Sequence, residues 1–334
     1  MIKAIALLSG GLDSILATKL ILEQGIKIEA INFFTIFCTC SRKNASCLAS
    51  KSAADKLGIP LKVFEVSKEY LEIIKKPKHG YGSQMNACID CRIFIFKKAK
   101  EYMKERDASF LITGEVLGER PFSQRKDALM IIEKEASLEG LILRPLSAKL
   151  LKPTIPEKKG WVAREKLLAI QGRCRRPQIQ LARQFSINDY PCPAGGCLLT
   201  DPGFSKRLRD LMEHNPNFEL NDVQLLKVGR HFRFSPNTKL IVGRNEQENQ
   251  KLLSLAKPQD LCFYPKDLKG PVAIGRGEFS SDLIYIAASI LARYCDSVDD
   301  KPIKILYKQS SNNITKSLFS KAICKEKIRD WLIT

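Results

Sequence analysis

Residues 2–8 read IKAIALL and residues 9–14 read SGGLDS. The run Lys3–Leu8 is apolar and β-rich, and apolar residues recur at helical spacing over Ser14–Gln24, so the stretch between them is a strand-to-helix turn. Gly10 and Gly11 let the backbone turn tightly and approach an anion. Ser9, Ser14 and the amides opening the helix supply donors for phosphate oxygens. Asp13 is placed to hold Mg²⁺ or to fix the loop. An ordinary glycine turn is the competing reading. No Lys follows as in the pattern G-x-x-x-x-G-K-[ST], and the dinucleotide fingerprint G-x-G-x-x-G is absent as well.

Working outward, β-rich runs at Lys3–Leu8, Ile28–Phe34, Leu61–Val66, Phe110–Thr113 and Leu141–Leu146 alternate with helical patterns such as Ser14–Gln24, Ala49–Leu57 and Cys91–Arg106. That order predicts an α/β fold, a doubly wound parallel sheet with helices on both faces. Ligands on such sheets sit at the carboxyl ends of strands near a switch in strand order, where SGGLDS lies if Lys3–Leu8 is central. The proline-bearing segments KPTIPEKKG and DYPCPAGGC suggest a boundary. Beyond it, LLKVGRHFRFSPNTKLIVGRNEQENQKLLSL reads as strand, turn, strand and helix, and GPVAIGRG adds another strand. The expected organisation is a catalytic domain over residues 1–215, a smaller α+β domain over 216–305, and a loosely attached polar tail over 306–334.

Composition narrows the function classes. The chain has 334 residues, 44% of them hydrophobic, enough for two or three domains with their own cores. No stretch approaches the roughly 18 uninterrupted apolar residues of a membrane helix, and the N-terminus lacks a signal peptide's cleavage site. The expectation is a cytoplasmic protein with no membrane partner. In a reducing compartment its 11 cysteines point to thiol chemistry or metal ligation wherever they cluster, not to a disulfide framework. The net charge of +19 favours an extended polyanion as partner, with a solvated lysine-rich surface as the bland alternative.

The full string S-G-G-x-D-S in the first strand-to-helix turn resembles the pyrophosphate-binding loop of the PP-loop ATP pyrophosphatases, which adenylate a substrate and release pyrophosphate. The resemblance implies a HUP-type sheet binding ATP and Mg²⁺ through Ser9, Gly10, Gly11, Asp13 and Ser14. Residues 113–124, TGEVLGERPFSQ, are similar to a segment of tRNA 4-thiouridine synthetases that borders the nucleotide pocket. The match falls on Thr113, Gly114, Glu115, Leu117, Gly118, Ser123 and Gln124.

Cysteines bear on the acceptor. Cys88 and Cys91 in CIDCRIFIFKKA stand one helical turn apart and can face one metal. In the thiolation branch of the superfamily, a C-x-x-C here and a later third cysteine hold a [4Fe–4S] cluster; the resemblance implies Cys88, Cys91 and Cys197, with Cys192 the rival to Cys197. Two alternatives stay open. Cys88, Cys91, Cys192 and Cys197 suit a structural zinc site, and Cys197 or Cys192 suits a persulfide-bearing nucleophile, so these two join Asp13 as candidate catalytic residues. Cys38, Cys40 and Cys47 in CTCSRKNASC read as loop thiols, as a second metal site or as an extra ligand.

Together these matches imply ATP-dependent tRNA thiolation. A uracil oxygen is a poor leaving group, so ATP first converts it to an adenylate and AMP departs when sulfur attacks. In GRCRRPQIQLARQ, Arg173, Arg175, Arg176 and Arg183 are candidate tRNA-phosphate contacts, against a solvated charge run. The paired VGR segments at 228–230 and 242–244 resemble the RNA-binding domain of ribosome-quality-control proteins. Arg230, His231, Arg233 and Arg244 interleave there with Phe232 and Phe234, as phosphate contact and base stacking require, or else the phenylalanines are core. The chain opens on the catalytic strand, so RNA binding is expected of the C-terminal half. The sulfur donor is expected to be the cluster, free sulfide or a separate protein such as a cysteine desulfurase. The alternatives are a PP-loop amide- or amidine-forming ligase and a non-catalytic RNA-binding protein.

Overall fold

The computed structural model describes residues 2–39, 46–190, 197–296, 301–312 and 314–333. Its internal contacts divide the chain into two compact units, Met1–Thr200 and Asp201–Thr334.

The first unit runs β1 (Lys3–Leu7), α1 (Leu12–Leu22), β2 (Lys27–Phe34), α2 (Ser46–Leu57), β3 (Leu61–Glu65), α3 (Ser67–Lys75), α4 (Cys88–Glu105), β4 (Phe110–Thr113), α5 (Lys126–Glu135), β5 (Ile142–Leu143), α6 (Ile155–Lys158) and α7 (Arg176–Gln184). Its strands form one parallel sheet in the order β3-β2-β1-β4-β5. The expected doubly wound α/β sheet is therefore present, with β1 at its centre. Strand alternation sends side chains to two cores. Ala4, Ala6, Ile28, Ala30 and Ile112 pack with α1, α2 and α7 on one face. Ile5, Ile31 and Leu111 pack with Phe96 and Ala99 of α4 and Ile132 of α5 on the other. Helix α1 also lies against α7, which is why Leu12, Ile15, Leu16, Ala17, Leu20 and Ile21 are all buried round most of its circumference.

Strand order reverses between β1 and β4. The turns after these two strands therefore open into the same crevice at their carboxyl ends, the usual ligand position in such sheets.

The second unit runs α8 (Pro202–His214), α9 (Leu220–Leu225), β6 (Arg230–Ser235), β7 (Thr238–Val242), α10 (Glu246–Leu255), β8 (Leu261–Pro265), β9 (Ala273–Gly277), α11 (Ser281–Arg293), β10 (Ile303–Gln309), β11 (Lys316–Ser320) and α12 (Lys325–Arg329). It is the expected α+β fold, an antiparallel sheet in the order β11-β10-β8-β9-β7-β6. The apolar stripe of α11, with Ala287, Ala288, Ile290 and Leu291, packs on Phe232, Leu240, Phe263 and Ile305. Asn245 and Ser280 cap α10 and α11 through their side-chain oxygens.

The organisation differs from the sequence reading at two points. The division falls at residue 200, not near 215, because α8 belongs to the second unit; Asp201 caps it, its Oδ1 accepting from the Phe204 amide at 2.6 Å. Nor is the tail loosely attached. β10 pairs with β8 and β11 with β10, and Ile328 of α12 is buried in the core. Ile303, Ile305 and Tyr307 alternate with Lys304, Leu306 and Lys308 there, so a period-two strand was hidden in a polar composition.

Candidate functional site

The turn after β1 is pinned from several sides. Asn32 Nδ2 donates to the Leu8 carbonyl at 2.9 Å, and Ser14 Oγ donates to the Gly11 carbonyl at 2.8 Å while lying 3.2 Å from Ser9 Oγ. Gly10 has φ +82°, and a Cβ on it would stand 2.5 Å from the Ala49 backbone. Across the crevice, a Cβ on Gly114 would stand 2.4 Å from the Ser14 amide nitrogen. Glycine at 114 thus lets the turn after β4 lie directly against the opening of α1. The two stretches singled out in the sequence are brought together, with a cradle of backbone donors between them.

The second stretch is held by its own residues. The Gln124 amide donates to the Arg120 carbonyl at 3.0 Å, and Gln124 Oε1 accepts from the Arg120 amide at 2.9 Å. Ser123 is 1% exposed, and its Oγ has no hydrogen-bond partner. Glu115, also buried, pairs through Oε1 with Arg92 at 3.2 Å and through Oε2 with Arg144 at 3.0 Å. Arg144 in turn pairs with Glu133. Gln124 and Glu115 are therefore engaged within the protein, fixing the stretch they sit in.

Around Asp13 the structure brings in residues that the sequence reading assigned elsewhere or missed. Arg175, placed in the sequence among the tRNA contacts, turns inward to stand with Nη2 4.0 Å from Asp13 Oδ2. Gln178 from α7 lies beside the same carboxylate, fully buried. Burial pushes the Asp13 carboxyl above the usual carboxylate range, against the pull of Arg175, Gln178 and Arg120. Glu119 is likewise raised, first by burial and then by the charge of Asp13. Asp13 Oδ1, Arg175 Nε and both amide atoms of Gln178 are buried without a hydrogen bond of normal geometry. Each such group costs about 1–3 kcal/mol, so their convergence on one loop fits a site whose ligand supplies the missing partners. Arg173, Arg176 and Arg183 remain exposed.

The candidate thiols Cys88, Cys91 and Cys197 are also drawn together. Cys88 and Cys91 open α4, and the Asp90 carboxylate accepts from the Lys78 and His79 amides at 3.0 Å each, fixing that turn. Cys197 is brought in by two backbone bonds beside it, the Met85 amide to the Leu199 carbonyl at 3.1 Å and the Leu198 amide to the Phe37 carbonyl at 2.8 Å. The second of these flanks an antiparallel bridge between Cys38 and Cys197. Cys38, Cys88 and Cys91 all oppose ionisation of Cys197, whose thiol is pushed up to about 12, first by burial. Burial likewise takes the Cys91 thiol to about 11. Neither thiol is a ready nucleophile as it stands.

Among the described residues, no group of three or more His, Cys, Asp or Glu side chains closes round a single metal ion. A cubane spreads its thiolates more widely than one tetrahedral ion, and this soft donor set suits it. Cys40 and Cys192 lie outside the described residues, as does the side chain of Cys47. The thiols and the nucleotide loops are physically joined. Arg92, next to Cys91, holds Glu115, and Gly82 in the loop ahead of α4 lies against the Phe122 ring.

In the second unit most of the basic-aromatic interleaving is structural. Phe232 is fully buried, and Phe234 packs edge-on to Phe279 and Trp331. His231 is buried with its pKa well below the usual range because charging it there is costly. Arg233 is tied to Asp210 at 2.7 Å, beside Lys239. Phe232 and Phe234 are thus taken up by packing within this unit, so they are not stacking platforms. Arg230 lies over the Tyr294 ring, and Arg244 Nη2 donates to the Gly229 carbonyl at 3.0 Å; both line a cavity of about 260 Å³ with Asn245 and Asp296. No described helix is long and apolar enough to cross a membrane.

Residues 2–155 match the family model described as "Thiamine biosynthesis protein (ThiI)", and residues 229–332 match the one described as "NFACT protein RNA binding domain". A probable tRNA sulfurtransferase from Lysinibacillus sphaericus is 28% identical over 144 residues, covering 43% of this chain and 34% of the relative. One from Ureaplasma parvum is 32% identical over 150 residues, covering 44% and 37%. The chain thus spans about a third of the length of these curated relatives. Among solved structures, a 4-thiouridine synthetase–RNA complex with bound ATP aligns at 22% identity over 55% of this chain and 51% of its own, with a TM-score of 0.36. The chain thus carries a stretch similar to the ThiI model ahead of a stretch similar to the NFACT RNA-binding model.

Proposed function

We propose that this chain is an ATP-dependent tRNA sulfurtransferase that adenylates a base carbonyl, that of a uridine in the simplest case, and replaces its oxygen with sulfur. The observation that carries this reading is the union of two half-sites: Gly114 seated on the opening of α1, and Glu115 tied to the neighbour of Cys91. The carbonyl oxygen attacks the α-phosphorus of ATP, and pyrophosphate leaves. The amides of the Ser9–Ser14 turn and the N-terminus of α1 receive the developing charge. Asp13 holds the Mg²⁺ that accompanies ATP. A sulfur nucleophile then adds to the ring carbon, and AMP departs with the former carbonyl oxygen.

Cys88, Cys91 and Cys197 would hold a [4Fe–4S] cluster, which when bound supplies an iron open to sulfide. Their burial excludes water from the point of sulfur transfer. Exposed Arg173, Arg176 and Arg183 and the second unit would hold the tRNA, while extruding the base from its stack costs a few kcal/mol. The sulfur comes from sulfide in solution or from a separate donor such as a cysteine desulfurase, whose persulfide sulfur reaches the sulfide level by reduction with two equivalents of thiol, which leave as a disulfide.

Protein purified anaerobically and given unmodified tRNA, ATP, Mg²⁺ and sulfide is expected to yield a thionucleoside, read by mass spectrometry of digested tRNA. Cys88→Ala and Cys91→Ala should lose both iron and product. Iron-replete protein that makes no thionucleoside overturns the reading. ATP use with ammonia alone would favour the amide ligase, and RNA binding without ATP use the non-catalytic protein.

A further inference from the structure

We propose that Arg175 and Gln178 belong to the pyrophosphate site and not to the tRNA surface, acting as a phosphate clamp opposite Asp13. This rests on the reading of the Ser9–Ser14 turn as a pyrophosphate holder. It concerns residues that neither the loop motif nor the matched family segment, residues 2–155, contains.

The position of Arg175 is fixed by the backbone. The Gly172 amide donates to the Leu117 carbonyl at 2.7 Å, and Leu117 pairs in parallel with Gln171. Ser147 Oγ ties the same two segments, accepting from the Leu117 amide at 2.9 Å and donating to the Ile170 carbonyl at 2.7 Å. The chain then turns at Arg175 into α7, which packs along α1. The first turn of α7 is thereby locked against the nucleotide stretch on one side and the opening of α1 on the other. Register places Gln178 one turn along the same face as Arg175.

The side chains are left unsatisfied at that spot. The Arg175 guanidinium stands 4.0 Å from Asp13 Oδ2, attracted but beyond hydrogen-bond reach. Its Nε, both amide atoms of Gln178 and Asp13 Oδ1 are buried without a hydrogen bond of normal geometry, although Gln178 lies close enough to Asp13 to pull on its carboxyl. Gln178 is 0% exposed, so its amide is cut off from bulk solvent. The chemistry of what is missing identifies the ligand class. A planar guanidinium fork and an amide N–H want an oxyanion with several equivalent oxygens, and Asp13 wants a cation. Magnesium pyrophosphate, free or as the β- and γ-phosphates of ATP, supplies both. Arg120, which also acts on Asp13, stands as a further cation at this edge of the loop.

The test uses the full chain and titrates magnesium pyrophosphate, a non-hydrolysable ATP analogue and unmodified tRNA separately by calorimetry. Arg175→Ala is expected to weaken both phosphate ligands 10- to 100-fold while leaving tRNA affinity within about twofold. Arg175→Lys should recover little of the loss, because a compact ammonium cannot form the fork. Gln178→Ala should cost 3- to 10-fold and provides an independent reading if Arg175→Ala folds poorly. A triple variant, Arg173→Ala with Arg176→Ala and Arg183→Ala, should do the reverse, losing tRNA and keeping pyrophosphate. Folded Arg175→Ala and Gln178→Ala proteins with unchanged pyrophosphate affinity would overturn the inference alone. A wild-type chain that binds neither phosphate ligand would instead overturn the reading of the loop itself.

Discussion

At the scale of single residues, the site depends on where a side chain is absent as much as on where one is present. A Cβ at Gly114 would press into the Ser14 backbone at 2.4 Å, and backbone cannot swing away as a side-chain tip does. Gly114→Ala should therefore part the two nucleotide loops and weaken an ATP analogue at least 10-fold in calorimetry. Overpacking of about 1–3 kcal/mol should also lower the melting temperature by a few degrees without unfolding the protein; an alanine variant that binds normally would contradict this close approach. A second residue, Glu29, acts on stability. It accepts from Lys3 at 2.8 Å, from Arg106 at 3.0 Å and from the Tyr102 hydroxyl. Although burial alone would raise it, these partners hold its carboxyl down to about 2 from an ordinary 4.5. A depressed carboxylate stabilises the fold above its unfolded pKa, and that contribution is lost as pH falls through the folded value. Acid unfolding between about pH 4.5 and 2 should thus owe on the order of 2 kcal/mol to this residue. Glu29→Gln should be less stable than wild type at pH 7, with the gap closing toward pH 2 in denaturant titrations; a constant gap would refute the assignment.

At the scale of elements, the strand-to-helix turn, the alternation behind it and the C-x-x-C at the start of α4 were legible because each is local in the chain. What was not legible depends on distant pairing. Nothing near Arg175 signals that α7 packs on α1, and nothing near Cys38 signals that it faces Cys197. The phenylalanines of β6 stayed ambiguous in the same way, since the alternation of Phe232 and Phe234 with His231 and Arg233 marks an apolar face but not whether that face meets a core or a base. The Cys38–Cys197 bridge makes a specific expectation. The bond from Leu198 to Phe37 that flanks it marks the narrow, non-hydrogen-bonded type of antiparallel pair, with Cα atoms about 4.5 Å apart. That spacing lies within the roughly 4.4–6.8 Å range of disulfides. When iron-free protein meets one equivalent of hydrogen peroxide, these two thiols should give up two protons and two electrons, the peroxide leaving as two waters. Peptide mapping without reductant should recover Cys38 joined to Cys197, and Cys38→Ser should abolish that species. Recovery of Cys88 joined to Cys91 in its place would show the narrow pair to be the wrong partner assignment.

At the scale of the whole molecule, the net charge of +19 favours a polyanionic partner but does not say which cations are free to meet it. In the second unit Arg233 and Lys239 are spent on Asp210, and Arg276 on Asp222 and Asp260. In the first, Arg92 and Arg144 are spent on Glu115. A charge count thus overstates the cations free to meet RNA; Arg173, Arg176 and Arg183 are among those that stay exposed, clustered on and beside one helix. Phosphate contacts release counterions, so the logarithm of affinity falls with the logarithm of salt by roughly 0.7–0.9 per contact. If all three arginines touch tRNA phosphates, replacing them together with alanine should lower that slope by roughly 2, measured by filter binding from 50 to 300 mM KCl. Arg175→Ala should leave the slope unchanged, since its guanidinium faces Asp13. A triple variant with the wild-type slope would return these residues to the solvated charge run that the sequence also allowed, and would assign the tRNA contacts to the second unit.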